Sequence, residues 1–420
     1  MMTTTTVRAA LLGYGMFGAD VVIGSLWDLH RNGIAPYLDR VGLDDHCRAY
    51  QDARFELVAV GTRSEASARR AEREMQEATG SKVRGYWGNT PWTDILDDHP
   101  DLDVLIVATP DHLHTTPVLA ALQRGVHVIV EKPLCLDASE ATAIIREAES
   151  RDLIAGVDMH KRYDPDHIKI FHDLAPDLGA PLYARGVLEE PLEVATTIFK
   201  WAEDSDPFTY VGIHWVDLFL HYLQLRPISV YATGQKRRLR DEFGKDTFDS
   251  VQVVVTHEGG MVIIYESNWL TPADFEGPVN QESHLVGAYG KVESDSQYRG
   301  LRYWVENKGS RTSTVHFFRK VRRPDGSSVS MGYGKDSLVA CLEKIFRIKV
   351  LGATARELAG TYPDAASQKW STMVVHAARA VLQRNWAHVE AGEPSLATAA
   401  LTPDTITLHD PADGAGTKLY

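Results

Sequence analysis

The chain has 420 residues, too many for one ordinary hydrophobic core and a comfortable length for two domains. Hydrophobic residues make up 44% and charged residues 24%, which excludes a disordered chain. The formal net charge of −13, from 44 Lys+Arg against 57 Asp+Glu, would repel a phosphate backbone, so nucleic acid is not an expected partner.

In chain order, residues 7–12 (VRAALL) form an apolar run that stops at Gly13, as a buried parallel strand would. Helix-spaced apolar residues follow over 16–29, then a strand at 55–60 (FELVAV) and a charged helix in SEASARRAEREMQEATG. A third strand is read at 104–108, a helix at 116–124 ended by Gly125, a strand at 127–130, a helix at 139–150 and a fifth strand at 153–157. Strand and helix alternate over the first 157 residues, and that rhythm requires right-handed crossovers and a doubly wound parallel sheet. The stretch 31–53 is longer than an ordinary helix-to-strand connection and reads as an inserted surface element.

After about residue 178 the rhythm changes to β-branched and aromatic runs: PLYARGVLEE, PISVYATGQ, SVQVVVTHEGGMVIIYESNWL, SHLVGAYGKVESDS and TSTVHFFRKV. They predict an antiparallel sheet, interrupted by a helix over 213–224 and followed by a helix over 365–384. The domains are placed at 1–157 and 158–392, with a loosely ordered tail over 393–420. No stretch approaches the roughly 20 unbroken apolar residues of a membrane span, and the first residues lack the pattern of a signal peptide. The three cysteines, Cys47, Cys135 and Cys341, share no CxxC spacing. A cytoplasmic, reducing compartment is the economical expectation.

Gly13-Tyr14-Gly15-Met16-Phe17-Gly18 fits GxGxxG. The motif alone is weak, but here it follows the first predicted strand and opens the first helix. Gly13 permits the tight turn, Gly15 lets the backbone meet a pyrophosphate, and Gly18 allows close helix–sheet packing. The helix start then offers free N–H groups to that anion. A dinucleotide is the expected cofactor. The end of the second strand, Val60-Gly61-Thr62-Arg63-Ser64, has no acid to accept from a ribose 2′-hydroxyl. Arg63 suits a 2′-phosphate, with Ser64 donating a hydrogen bond, so NADP is favoured over NAD. A solvent-facing arginine beside a helix cap is the alternative reading of the same residues.

The segments TPDHLH at 109–114, VHVIVEKP at 126–133, KRYDP at 161–165 and GIHWVD at 212–217 occur in that order after the glycine loop. Together they closely resemble the Gfo/Idh/MocA oxidoreductase family, named for glucose–fructose oxidoreductase and inositol dehydrogenase. The resemblance is strong over about residues 7–220 and diffuse beyond. It implies an α/β protein: an N-terminal Rossmann dinucleotide-binding domain, then an α/β domain with an open, mostly antiparallel sheet. It further implies an active site between the domains, beside the nicotinamide, and homodimers or homotetramers assembled through that sheet. Thr109, Pro110, His114, Glu131 and Lys132 are thereby expected at the cofactor.

Hydride transfer from an alcohol needs a base for the hydroxyl proton and a charge that stabilises the developing alkoxide. Lys132 lies just beyond the strand at 127–130, at the carboxyl end of the sheet where ligands bind. Pro133 restricts its backbone. His214 is the base candidate, on its match to the family's histidine, and Asp217 three residues later shares its helical face. His221 extends that polar stripe. Many relatives carry Asp four residues before this histidine, where this chain has Tyr210, which can hydrogen-bond but is not an anion at neutral pH. The carboxylate contribution is then absent or supplied by Asp206 or Asp217. Arg162 and Tyr163 fall in the segment that borders substrate in relatives. Tyr163 and Trp201 are read either as an apolar wall for a sugar face or as core. His112 and His114 lack further ligands at sensible spacing, so no metal is expected.

The reading is an NAD(P)-dependent oxidoreductase acting on a hydroxyl-bearing carbon of a sugar or cyclitol. Two alternatives stay open at this point: a redox-assisted glycoside hydrolase or eliminase that retains its nucleotide, and a non-catalytic dinucleotide-binding sensor. Lys132 and His214 together speak against the sensor.

Overall fold

The computed structural model describes residues 5–15, 18–272, 274–275, 279–296, 301–305, 309–313, 316–322, 324, 328–414 and 416–420. Contacts divide the chain into two units. The first comprises 1–135, 140–163 and 316–368; the second comprises 136–139, 164–315 and 369–420. A C-terminal segment thus returns to the first unit, which the simple two-part division at residue 157 does not anticipate.

The first unit is built on β1 (Thr6–Leu12), β2 (Arg54–Thr62), β3 (Arg84–Trp87), β4 (Val104–Val107), β5 (His127–Val130) and β6 (Ala155–Val157), in the spatial order β3-β2-β1-β4-β5-β6. All pairings are parallel. β1 and β4 carry the near-continuous apolar runs of strands covered on both faces. Helices α1 (Ile23–Asn32), α2 (Glu65–Thr79), α3 (Pro91–Asp98), α4 (Thr115–Gln123) and α5 (Ala138–Arg151) connect them. α2 shows how locally its ends are specified. Ser64 caps its start by accepting from Ser67 N at 3.3 Å, Gly80 closes it at φ 73°, and Ala68, Ala71 and Met75 form the buried stripe. β3 and α3 were not expected: RGYW is too short to announce a strand, and Pro91 marks the first turn of α3.

The inserted stretch is a run of 3₁₀ turns at Ala35–Tyr37, Asp39–Val41 and Asp44–His46. It packs on an unexpected helix, Tyr333–Leu351, which lies in the same unit nearly three hundred residues later in the chain. Tyr50 Oη donates to Glu343 Oε1 at 2.9 Å, and Arg40 makes a two-pronged pair with Asp336 at 2.9 and 2.7 Å. Lys335 also reaches Asp28 of α1 at 2.8 Å and lies 3.5 Å from the centre of the Tyr37 ring.

The second unit carries a nine-stranded sheet. Its named strands are β7 (Pro181–Pro191), β8 (Pro227–Gln235), β9 (Ser250–His257), β10 (Val262–Thr271), β11 (Asn280–Gly287) and β12 (Gly290–Asp295), ordered β12-β11-β7-β10-β9-β8. β7 and β10 run parallel and the other pairs antiparallel, so the sheet is mixed but mostly antiparallel as expected. Burial alternates strictly along β9 and β10, the signature of one covered face. Helices Ile213–Leu223 and Lys369–Ala391 belong to this unit, the second longer and later than the expected 365–384. Asn385 of the latter donates to Ala232 O at 2.8 Å and to Ala397 O at 3.1 Å.

The expected loose tail is instead structured. Strands Thr398–Thr402 and Thr405–His409 form a hairpin that extends the sheet beyond β8 through Ala399↔Val230 and Ala400↔Ser229. Alternation of TAALT and TITLH buries Ala399, Leu401 and Ile406, a pattern hidden in a composition of Ala, Thr and Pro. Among the described residues, no helix is long and apolar enough to cross a membrane, and no group of three or more His, Cys, Asp or Glu could hold a metal ion.

Candidate functional site

The strand order changes direction between β1 and β4, the point at which open α/β sheets bind ligands beyond the carboxyl ends of their strands. Gly13 stands there at φ 105°, donating to Gly61 O at 2.8 Å, and a Cβ on it would lie 2.1 Å from Ala108 O. Only glycine fits. A Cβ on Gly18 would lie 2.8 Å from Gly13 O, so this residue serves close packing, whereas one on Gly15 would meet nothing within 4 Å. The space beside Gly15 is open among the described residues, which leaves room for a pyrophosphate against the backbone. Met16 and Phe17 lie outside the described residues.

Beyond β2, Arg63 is exposed, and among the described residues its guanidinium has no hydrogen-bond or ion-pair partner. Ser64 is engaged as the cap of α2 and donates to Ser67 Oγ at 3.0 Å. At the mouth of β4, Thr109 Oγ1 is buried with no hydrogen-bond partner among the described residues, the kind of orphaned group a bound dinucleotide satisfies. Pro110 leads the short turn Asp111–Leu113. His114 is buried, its Nδ1 2.7 Å from Pro133 O and its Nε2 2.9 Å from Thr109 O. It straps the turn after β4 to the turn after β5. Burial lowers its pKa, opposed by buried Asp111. The glycine loop, the orphaned hydroxyl and the exposed arginine together fit a dinucleotide.

β5 is followed by Glu131 and Lys132, both buried, and the Lys132–Pro133 peptide is cis. β6 pairs with β5 through Val130↔Val157, so Asp158 follows β6 beside Glu131. Burial, then the neighbouring Asp158, pushes the Glu131 carboxyl well above the usual range, and burial raises Asp158 as well. Ser337 of the Tyr333–Leu351 helix donates its hydroxyl to Asp158 Oδ1. Asp158 and Ser337 were missed from the sequence. The available signal was the parallel register, which sets the residue after β6 beside the residue after β5. Arg162, buried, and Tyr163, half-buried, occupy the turn His160–Tyr163 of the same unit.

In the second unit, helix Ile213–Leu223 carries His214 and Asp217, both buried, and half-buried His221. Its placement rests on Trp215, whose Nε1 donates to Val187 O at 2.9 Å, and on Gly186, where a Cβ would lie 2.6 Å from the indole. Tyr210 meets Phe199 edge-on at 4.7 Å and Trp201 at 5.9 Å, while Trp201 stacks on Phe199 at 4.5 Å. These rings pack against a small core with Leu239 and Trp269. Asp206 accepts from Thr209 N at 2.9 Å and Thr209 Oγ1 at 2.6 Å, so its carboxylate holds the turn that starts this helix.

A doubly wound sheet with this loop defines a dinucleotide-binding protein, and the particular class follows from comparison. Residues 7–159 match the family described as an oxidoreductase family with an NAD-binding Rossmann fold, and residues 175–293 match the Gfo/Idh/MocA C-terminal domain. The chain belongs to the Gfo/Idh/MocA family. UDP-N-acetylglucosamine 3-dehydrogenase of Acidithiobacillus ferrooxidans is 30% identical over 39% of this chain and 48% of its own length. The NAD(+)-dependent scyllo-inositol 2-dehydrogenase of Bacillus subtilis is 28% identical over 43% and 49% respectively, and an NADP(+)-dependent scyllo-inositol 2-dehydrogenase of the same organism is 26% identical over 49% and 56%. The chain thus spans about half the length of the curated relatives it matches. Among solved structures, GenD2 from gentamicin A biosynthesis in complex with NAD superposes with a TM-score of 0.65 at 16% identity, covering 96% of this chain and 98% of that one. Scyllo-inositol dehydrogenase from Lactobacillus casei with NAD(H) and scyllo-inositol gives 0.60 at 16%, covering 91% and 98%. These likenesses show a shared fold.

Proposed function

We propose that this chain is an NAD(P)-dependent oxidoreductase that transfers a hydride between nicotinamide and a hydroxyl-bearing carbon of a sugar or cyclitol. The observation that carries the reading is Lys132, a lysine only 6% exposed at the carboxyl end of β5, in the unit that bears the glycine loop. An ammonium buried at the ligand-binding end of such a sheet is a candidate for the site's chemistry. Nicotinamide, when bound, supplies the hydride acceptor or donor. Lys132 donates a hydrogen bond to the reacting oxygen and stabilises it as the proton leaves. His214 takes or returns that proton at a ring nitrogen, with Asp217 orienting the ring and Tyr210 contributing a hydrogen bond in place of the relatives' aspartate. Arg162, Tyr163 and Trp201 complete the substrate contacts. Dehydrogenases of scyllo-inositol and of a UDP-sugar among the relatives support this substrate class. NADP is the favoured cofactor, on an exposed Arg63 that has no partner among the described residues. Assembly through the open sheet and residence in a reducing compartment, which suits three free thiols, belong to the same reading.

The test is nicotinamide absorbance with a panel of cyclitols and sugars, on the wild type and Lys132→Met, beside fluorescence titration with NADPH and NADH. We expect dinucleotide binding to survive in the variant while turnover falls about 100- to 1000-fold, the usual cost of losing one oxyanion donor. Turnover equal to the wild type would overturn the role of Lys132. Arg63→Ala is expected to weaken NADPH and leave NADH unchanged; equal effects on both would remove the phosphate reading.

A further inference from the structure

Glu131 and Asp158 stand side by side at the edge of the first unit's sheet. Their backbones are fixed by the strands that precede them: Glu131 N donates to Val107 O and Asp158 N to Val130 O, each at 2.8 Å. Both side chains are buried, at 8% and 2% exposure. The Val130↔Val157 register sets the two carboxyls beside each other, and each acts on the other's proton affinity. The Ser337 hydroxyl reaches Asp158 Oδ1, whereas Asp158 Oδ2 is buried and receives no N–H or hydroxyl among the described residues. Two carboxylates cannot hydrogen-bond without a proton.

We propose that Glu131 and Asp158 form a carboxyl pair holding one proton between them, and that the single negative charge left on the pair anchors the Lys132 ammonium. Ser337 fixes Asp158 as the accepting partner. The inference rests on the role given above to Lys132, and assigns Asp158, through Glu131, a positioning part in it.

Buried Arg162 of the turn that follows Asp158, with Lys344 and Asp364, bears on the Cys341 thiol beside the pair. Lys132 is the cation that acts on both carboxyls. From the Tyr333–Leu351 helix come Ser337 and Cys341, and burial pushes the Cys341 thiol up so that it stays neutral. Burial raises both carboxyls, and the proximity of the second acid raises Glu131 further still. A doubly ionised pair would leave a net negative charge beside Lys132 and tie its N–H groups in salt bridges. A fully protonated pair would leave a buried ammonium with no anion from this pair. One shared proton makes the triad neutral and leaves the ammonium charged with donors to spare.

Infrared difference spectroscopy on the full chain tests the pair without any substrate. At neutral pH the wild type should show the carbonyl stretch of a protonated carboxylic acid, and the band should fade as pH is raised. Both Glu131→Gln and Asp158→Asn should lose it, because the carboxyl remaining in each then ionises beside Lys132. A band retained in either variant would mean a proton held without its partner and would overturn the pair; so would a wild type with no such band. The pH profile of hydride transfer reads the second half. The alkaline limb set by Lys132 should stay in place in both single variants. In the double variant, which removes the anion altogether, it should move down by about a unit or more. A limb unmoved in the double variant would overturn the anchoring. If the wild type transfers no hydride, the proposed reaction fails while the infrared result still decides the pair.

Discussion

Asp28 of α1 and Lys335 form an ion pair at 2.8 Å with both side chains 2% exposed. Asp28 also accepts from Ser330 N at 2.6 Å and from Arg31 at 2.8 Å. The pair ties the helix that follows the glycine loop to the Tyr333–Leu351 helix. In Asp28→Asn the shape and the backbone contact survive, Arg31 turns to solvent at little cost, and Lys335 is left as a buried charge. The direct attraction at 2.8 Å is about 6 kcal/mol at an effective dielectric of about 20. Much of it offsets desolvation, and breaking one side of a buried pair typically costs about 3–5 kcal/mol. There is also a ceiling. Lys335 can escape by losing its proton, which burial already favours by lowering its pKa. Discharging an ordinary lysine at neutral pH costs about 4.6 kcal/mol, so the variant cannot lose much more. The same escape fixes the pH dependence. In the variant the folded-state lysine pKa is depressed, the unfolded chain binds the extra proton, and stability rises with pH. The gap to the wild type should narrow as pH rises above neutral, by up to about 1.4 kcal/mol per pH unit. Native-state hydrogen exchange on the β1 amides, read from about pH 7 to about pH 9, reports the first unit by itself, and Asp28→Asn/Lys335→Met should recover most of the loss. A single-variant cost below about 1 kcal/mol, or a gap that does not narrow, would refute the account.

Two further predictions separate folding from binding and pH from packing. Gly13→Ala forces a Cβ to within 2.1 Å of Ala108 O at φ 105°, costing at least about 1–2 kcal/mol from the backbone conformation alone. Gly15→Ala meets no atom within 4 Å among the described residues beyond its chain neighbours, so its melting temperature should match the wild type while fluorescence titration shows weaker dinucleotide binding; unchanged affinity would argue against pyrophosphate contact there. In the second unit, His388 lies 2.9 Å from Glu393 and 2.8 Å from Asp410, and the first of these carboxylates, then the second, raises its pKa. A raised histidine stabilises the fold below its ordinary value of about 6.5 and loses that contribution as pH rises through the folded-state value. The difference in Tm between wild type and His388→Gln should therefore shrink as pH rises past neutral, and a constant difference would show that the contacts are not charge-assisted.

How much of this was legible depended on the range over which each residue's reasons act. The glycine loop, β1 and α2 declare themselves because strand, turn and cap are specified within a few residues, from Gly13's forced φ to Ser64's cap. β3 was lost because four residues carry too little periodicity, and the tail hairpin because alanine and threonine bury little area per residue. The Tyr333–Leu351 helix failed for a different reason. Its first fourteen residues are all buried, including Lys335, Asp336, Glu343 and Lys344, so it has no polar face for a helical period to reveal. Those charges are readable only once Asp28, Arg40 and Tyr50 are known to face them. Asp158 belongs to the same class: nothing adjacent in the chain marks it, yet the parallel register of β5 and β6 sets it beside Glu131 and links it to Lys132. Lys132 is proposed from its place after a strand, but the neighbours invoked in the carboxyl-pair proposal include Asp158 and Ser337, the second more than two hundred residues away in the chain. Local rules pick out such a lysine as a candidate; the groups that would control its charge come from elsewhere in the chain and are visible only in the fold.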